Sequence, residues 1–415
     1  MRRLIVVLAV LALLLGGAVA AFVIHRLQEG RNVRGSSTVE FVTTESSAPS
    51  LSTRTPWPQY GLTPERTRAV SLALRPPFRT LWRYQAGSLV EFPPSIGYDR
   101  LFFSTNVGNF TAISTRDGSR AWIYRSHRCV AASPAIGPHG GGTVYEAFLN
   151  RPPCNAQGGG HGVDGQVVAF AVGHGQIRWQ RTIGPSETSP LLVRNRLYVG
   201  DWNGGVWALN ASTGAVLWKY RTGGAVKGGL AFAGGRLYLG SYDGHVYCLS
   251  DSGRLVWRAS AQPRLYGGST FYATPAVAYG RVYLGSTDGR VYSFGAATGK
   301  LRWSYNTGSY VYASPAVWRR LVFAGSYDGT FYAFDAATGD VRWRFAVGEK
   351  ISGSATVIGG VVYFATLQKR TYALDATTGK LLWTFPDGKY TPVVAAHGRL
   401  YLIGYQIVYG MVPRR

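Results

Sequence analysis

Few residues in this chain have the type and spacing to do chemistry. His139, His161 and His174 fall in one glycine-rich stretch and are the nearest thing to a metal-ligand set. Their separations of 22 and 13 residues match no common ligand pattern, so they read as loop residues and no metal site is expected. No G-x-S-x-G, H-E-x-x-H or Walker A motif occurs. The aspartates lie mainly in Asp-Gly pairs (Asp243, Asp288, Asp328) and just ahead of Thr-Gly pairs, where turn and capping chemistry accounts for them. No catalytic residue is therefore expected. Cys129 and Cys154 flank the stretch TVYEAFLN; outside a reducing cytosol they are expected to bond and clip an insertion, although sequence alone does not prove the connectivity. Cys248 stands where similar stretches carry Ala333 and Ala373, so it reads as a small buried residue.

These residues must be positioned by something other than helices. Charged residues make up 15% of the 415, against about 25% in ordinary domains. The chain holds 54 Gly, 26 Tyr and 12 Trp, a balance that excludes a helix bundle or coiled coil and argues against an α/β enzyme. With 46% apolar residues it can bury a core and is not disordered. The formal net charge of +24 favours an anionic neighbour such as lipid headgroups or an acidic envelope polymer.

A repeat supplies the architecture. SPLLVRNRLYVGDWNGGVWALNASTGAVLW (189–218), TPAVAYGRVYLGSTDGRVYSFGAATGKLRW (274–303) and SPAVWRRLVFAGSYDGTFYAFDAATGDVRW (314–343) are copies of one phrase. Each copy ends on a tryptophan, and Trp82, Trp122, Trp179, Trp218, Trp257, Trp303, Trp343 and Trp383 follow one another at intervals of 40, 57, 39, 39, 46, 40 and 40 residues. A period near 40 with four short strands per unit predicts an all-β, eight-bladed propeller of four-stranded antiparallel blades. After Trp383 only three strands remain, TPVVAA, RLYLIG and QIVYGM. The strand RTLWRYQ (79–85) is expected to complete that last blade and close the ring.

The phrases Ala333–Trp343 and Ala373–Trp383, with Asp335, Thr338-Gly339, Asp375 and Thr378-Gly379, resemble the tryptophan-docking repeat of quinoprotein-type (PQQ-like) eight-bladed propellers. The copies ending at Trp122, Trp179 and Trp257 are more degenerate. The resemblance covers residues 57–415. It implies one of two functional branches. One comprises dehydrogenases that bind pyrroloquinoline quinone with calcium, typically with a vicinal disulfide. The other comprises non-enzymatic propellers similar to BamB, the lipoprotein of the outer-membrane β-barrel assembly machinery. The absence of Cys-Cys and the short loops between blades point to the BamB-like branch, so no cofactor is expected; quinone with calcium is the alternative.

Antiparallel alternation within a blade assigns the turns to two faces. The turns before the second strands carry Arg100, Arg196, Arg236, Arg281, Arg320 and Arg399 on one face, a basic ring that could meet anionic lipid or polymer. The loops between blades line the channel mouth on the other face. They carry Glu91, Glu187, Lys227, Tyr266, Tyr272, Tyr310, Tyr312, Lys350 and Lys389, a set suited to protein, peptide or glycan recognition.

Residues 4–24 form an apolar run flanked by Arg2 and Arg3, long enough to cross a bilayer as a helix. The expected organisation is therefore a transmembrane signal anchor (1–26), a linker and lead-in segment (27–76, its first part flexible) and the propeller (77–415). The anchor is single-pass and the propeller extracytoplasmic. No cysteine precedes Cys129, so a lipid-modified N-terminal cysteine is not expected. The expected function is a non-catalytic, monomeric binding or assembly scaffold with protein partners in the cell envelope and no nucleic acid. The alternatives are a quinoprotein dehydrogenase and an envelope glycan-binding module.

Overall fold

The computed structural model describes residues 10–11, 13–20, 22–23, 31–43, 52–154, 164–263, 268–390 and 393–414. Its strands form eight sheets, one per repeat, in radial order along the chain. Blade 1 spans 95–125, blade 2 135–183, blade 3 191–221, blade 4 231–260, blade 5 276–306, blade 6 316–346 and blade 7 356–385. Blade 8 contains Val394–Ala396, Arg399–Ile403 and Ile407–Pro413, and its fourth strand is Phe78–Gln85, antiparallel to Ile407–Pro413. The ring therefore closes as the leftover strands require.

Sandwiches of apolar residues fill the spaces between blades. Trp303, for example, is fully buried among Tyr283, Val291, Val322 and Phe334 of blades 5 and 6. In all eight outer strands a β-bulge falls on the residue just before the docking tryptophan, so each indole is re-aimed toward the next blade. There seven of the eight indoles pack on a glycine. A Cβ at Gly339 would lie 2.7 Å from the Trp303 ring, and its φ of +77° also suits glycine alone. In six blades the indole N–H donates to a carbonyl of the next blade at 2.9–3.1 Å. Behind each indole sits a small residue, and Cys248 fills that place opposite Trp257, fully buried.

The six arginines of the expected basic ring stand at or just before the start of their blades' second strands, and they are largely engaged inside the molecule. Arg100 donates to Val172 and Gly173, Arg236 to Ala297, and Arg399 to Thr115 and Arg116, in each case the third-to-fourth-strand turn of the following blade. Arg196 donates to the Asp251 carbonyl and pairs with its carboxylate. Arg281 and Arg320 hold residues 31–43 instead: Arg281 donates to Glu40 and Ser36 carbonyls, and Arg320 lies 5.2 Å over Phe41.

The described parts of segment 27–76 are not free linker. Residues 31–43 lie along blades 5 and 6, with Gly35 N–H donating to Thr338 at 2.9 Å, Val42 N–H to Tyr279 at 3.0 Å, and Arg34 paired with Asp340 at 2.9 Å. Residues 57–70 run around the hub. The central N–H of the inner strand donates to this segment in seven successive blades: Ile96 to Trp57, Ile136 to Pro58, Leu192 to the Gln59 side chain, Phe232 to Pro64, Val277 to Glu65, Val317 to Thr67 and Val357 to Arg68. Inner strand edges would otherwise expose unpaired donors. Among the described residues no helix is long and apolar enough to cross a membrane; residues 10–11, 13–20 and 22–23 are helical, and the rest of the expected anchor lies outside the described residues.

Candidate functional site: a cup closed at the hub

The hub segment turns the central channel into a blind cup. Tyr60, 4% exposed, forms the floor, its hydroxyl bonded to Ser354 at 2.7 Å and Ser314 at 3.2 Å. Beneath it lie two fully buried arginines. Arg66 donates to the carbonyls of Leu230, Ser189 and Pro190, and Arg68 to those of Arg66 and Pro315. The Arg68 guanidinium stands 4.6 Å from the Tyr60 ring centre. No carboxylate pairs with either arginine among the described residues, and burial lowers both, Arg66 to about 9.

The loops between blades build the walls. Of the expected mouth residues, Glu91, Glu187, Lys227, Tyr272 and Tyr312 line one cavity of about 50 Å3 together with Tyr60, Phe92 and Tyr390. Tyr272 and Tyr312 meet edge to face at 5.5 Å. Lys227 Nζ lies 3.4 Å from Glu187 Oε1 and over the rings of Trp202 (4.1 Å) and Tyr242 (5.1 Å). Burial raises Glu187, with Lys227 opposing. Burial and the neighbouring Glu187 push Glu91 up to about 7, with Lys389 opposing. Burial holds the Tyr272 phenol well above its ordinary value.

The remaining expected residues sit at the rim. Tyr310 is half exposed and clusters with Tyr312 and Tyr327, and Lys350 reaches over Tyr327 at 5.5 Å. Lys389 lies over Tyr390 and Tyr405. Tyr266 lies outside the described residues, as does His161. Asp243, Asp288 and Asp328 are on this face but inward-bonded: each accepts the hydroxyl of the tyrosine four residues on, Tyr247, Tyr292 and Tyr332, at 2.5 Å. Cys129 and Cys154 form a disulfide, and Cys129 packs with Leu149 beside Phe92 and Trp202, so the clipped insertion shoulders the cup.

Composition hid four contributors, Tyr60, Phe92, Trp202 and Tyr390. The Trp57-Pro58-Gln59-Tyr60-Gly61 cluster, aromatic within an otherwise polar stretch, was the available signal for the first.

The fold raises the question of a quinone. About 50 Å3 is room for a few waters, against roughly 300–1,000 Å3 for a site holding a molecule of drug size. Among the described residues no three His, Cys, Asp or Glu are placed to hold a metal, and the disulfide joins residues 25 apart rather than adjacent ones. The residues present at the hub do not fit pyrroloquinoline quinone with calcium.

The family described as "Outer membrane protein assembly factor BamB" matches residues 79–189, 163–310 and 306–410. The chain is 26% identical to the outer membrane protein assembly factor BamB of Burkholderia pseudomallei over 130 residues, 31% of this chain and 32% of that protein. Alignments to the curated relatives of this name span about a third or less of their length in the best-scoring cases. Among solved structures, BamB from Moraxella catarrhalis superposes with a TM-score of 0.67 at 17% identity, covering 81% of this chain and all of that one. The quinohemoprotein alcohol dehydrogenase of Comamonas testosteroni superposes at 0.72 and 15% identity, covering 86% and 81%. Both likenesses establish the shared propeller and nothing finer. With its match running from residue 79 to residue 410, the chain belongs to the BamB family of PQQ-like β-propellers.

Proposed function

We propose that this protein is a BamB-like, non-catalytic scaffold of the cell envelope that recruits a protein partner at the cup face. The observation that carries the reading is the hub: where a propeller enzyme needs room for a reaction centre, residues 57–70 fill the channel and leave a shallow cup of aromatic, acidic and basic side chains. Rigid blades present that cup, and loops on a rigid ring are suited to recognition. The Cys129–Cys154 bond supports an oxidising compartment. The apolar segment 4–24 would hold the propeller at the membrane as a single-pass anchor. Five of the six basic-face arginines spend donors on the molecule itself and Arg320 lies over Phe41, so attraction to anionic lipid is not what carries the reading.

The test is crosslinking capture of the intact protein from an envelope fraction, beside a rim variant carrying Tyr310→Ala and Lys350→Ala. An envelope protein enriched on the wild type and depleted on the variant is the expected outcome. Recovery of no partner above the variant counts against the scaffold. The half-exposed Tyr310, clustered with Tyr312 and Tyr327, also favours a second reading as a glycan-binding module; glycan binding lost on Tyr310→Ala would establish it.

A further inference from the structure

The charges in the cup do not balance, and the imbalance says what enters it. Two carboxylates, Glu91 and Glu187, line the same small cavity. Glu187 is 8% exposed, and its Oε1 accepts no hydrogen bond, although the Lys227 ammonium stands 3.4 Å away. Lys227 thus offsets the charge of one carboxylate, and it does so in a particular setting: its ammonium lies against the faces of Trp202 and Tyr242. This is how an ammonium is held when partly desolvated, by a carboxylate on one side and aromatic faces on the others.

Glu91 has the same surroundings without the cation. Neither a hydrogen bond nor an ion pair engages its carboxylate among the described residues. Lys389, the basic residue that influences it, points instead over Tyr390 and Tyr405 at 4.9 and 5.1 Å. Tyr60, Phe92, Tyr272 and Tyr312 line the same cavity as the two carboxylates. The cavity's room, about 50 Å3, suits a small group such as an ammonium with its last methylenes. A carboxylate left beside a second carboxylate in a half-buried aromatic cavity is costly unless a proton or a cation joins it.

We infer that the cup receives the ammonium group of a lysine side chain presented by a loop of the partner protein, held between Glu91 and Glu187 and against the surrounding tyrosine faces. The inference rests on the scaffold reading above and names the chemistry of its partner. It also makes Lys227 the resident counterpart of the incoming lysine. The Lys227 ammonium neutralises Glu187, so the incoming charge is directed to Glu91.

The experiment is calorimetric titration at pH 8, where Glu91 is ionised, of the full-length protein with the capped tripeptide acetyl-Gly-Lys-Gly-amide. The comparators are the norleucine peptide of equal length, the arginine peptide and free spermidine. The lysine peptide is expected to bind at least tenfold more tightly than the norleucine peptide, and Glu91→Gln is expected to weaken it at least tenfold. Glu91→Gln removes a half-buried charge, and an unchanged or raised melting temperature in the variant shows that the loss is not one of folding. Equal binding of the norleucine peptide, undiminished binding to Glu91→Gln, or no detectable binding of the lysine peptide at millimolar concentration each overturns the inference. Tighter binding of spermidine or the arginine peptide than of the lysine peptide also overturns it. Crosslinking capture separates this inference from the scaffold itself. A partner recovered equally on wild type and Glu91→Gln sinks the lysine site and leaves the scaffold standing, whereas a partner recovered on neither sinks the scaffold.

Discussion

Between blades 5 and 6, Trp303 packs on Gly339 and donates to the carbonyl of Ala336 at 2.9 Å, and the same arrangement recurs at five other blade interfaces. Around the hub, one segment that occurs once in the chain, residues 57–70, does an equivalent job for seven blades by offering carbonyls and one side-chain oxygen. The wall is held by side chains and apolar area, and the hub by backbone acceptors braced by two buried arginines. The wall repeats because each blade must dock on an identical neighbour. The hub does not repeat, because one segment that occurs once in the chain pairs with the inner strands of seven blades. The proposed recognition site sits where the repetition stops: the cup is made of loops that differ from blade to blade, over a floor that exists in a single copy.

The ring's seam shows the same division. Trp82 lies over Gly118 like its counterparts, but its indole N–H has no partner among the described residues, and Trp383 meets the ring of Phe78 edge to face at 5.4 Å instead of a Thr-Gly turn. Closure by a strand from the other end of the chain keeps the sheet and gives up part of the docking.

The largest effect should come from the wall. Trp303→Ala, at a fully buried site, is expected to cost about 3–5 kcal/mol in denaturant unfolding. A cost well under 2 kcal/mol would show that the hub, not the wall, carries the ring. Next is the clip beside the cup: Cys154→Ser opens a 25-residue loop and is expected to lower stability by about 3 kcal/mol, read by thermal unfolding without reductant.

A third test lies at the interface of blades 1 and 2, where the apolar wall contains a carboxylate. Glu146 is fully buried, accepts from Ser104 Oγ at 2.7 Å and Ala147 N–H at 3.0 Å, and is pushed up to about 8 by burial. The folded protein therefore keeps a proton that the unfolded chain has lost above its ordinary value of 4.5. Stability contributed by the protonated form is present at low pH and falls as pH rises from about 4.5 to about 8, by a few kcal/mol at most. Glu146→Gln should flatten that part of the curve, measured by denaturant midpoints from pH 5 to 8.5; an unchanged slope would show that Glu146 titrates normally. The smallest effect belongs to the hub floor. Tyr60→Phe removes the bonds to Ser314 and Ser354 and is expected to cost about 1 kcal/mol. A much larger cost would make the floor, rather than the plug's backbone, the part that locks the hub.

Much of the molecule was legible because the repeat is written in side chains. Spaced tryptophans, Thr-Gly pairs and Asp-Gly turns are large or conformationally special residues, and they announce blade number, strand order and the closing strand from Phe78 to Gln85. The two faces also followed from alternation, so five mouth residues do meet in one cavity. Segment 57–70 was not legible as a hub because its acceptors are mainly main-chain carbonyls, which every residue has; Pro58 and Pro64, with no N–H to give, serve as well as any other. Residues 31–43 were missed for a related reason: Arg34, Glu40 and Phe41 look like linker residues until Asp340, Arg302 and Tyr279 are placed beside them.

The linear order of residues alone determined the eight sheets and their closure, because those depend on spacings along the chain; that Cys129 and Cys154 bond to each other was decided by the fold. Only the folded molecule decided that the channel is sealed at one end, that four of the basic-face arginines staple one blade to the next while Arg281 and Arg320 hold residues 31–43, and that among the described residues Glu187 has an ion-pair partner and Glu91 has none. Those outcomes depend on distances between residues far apart in the chain, and on which donors and charges find a partner once water has been excluded.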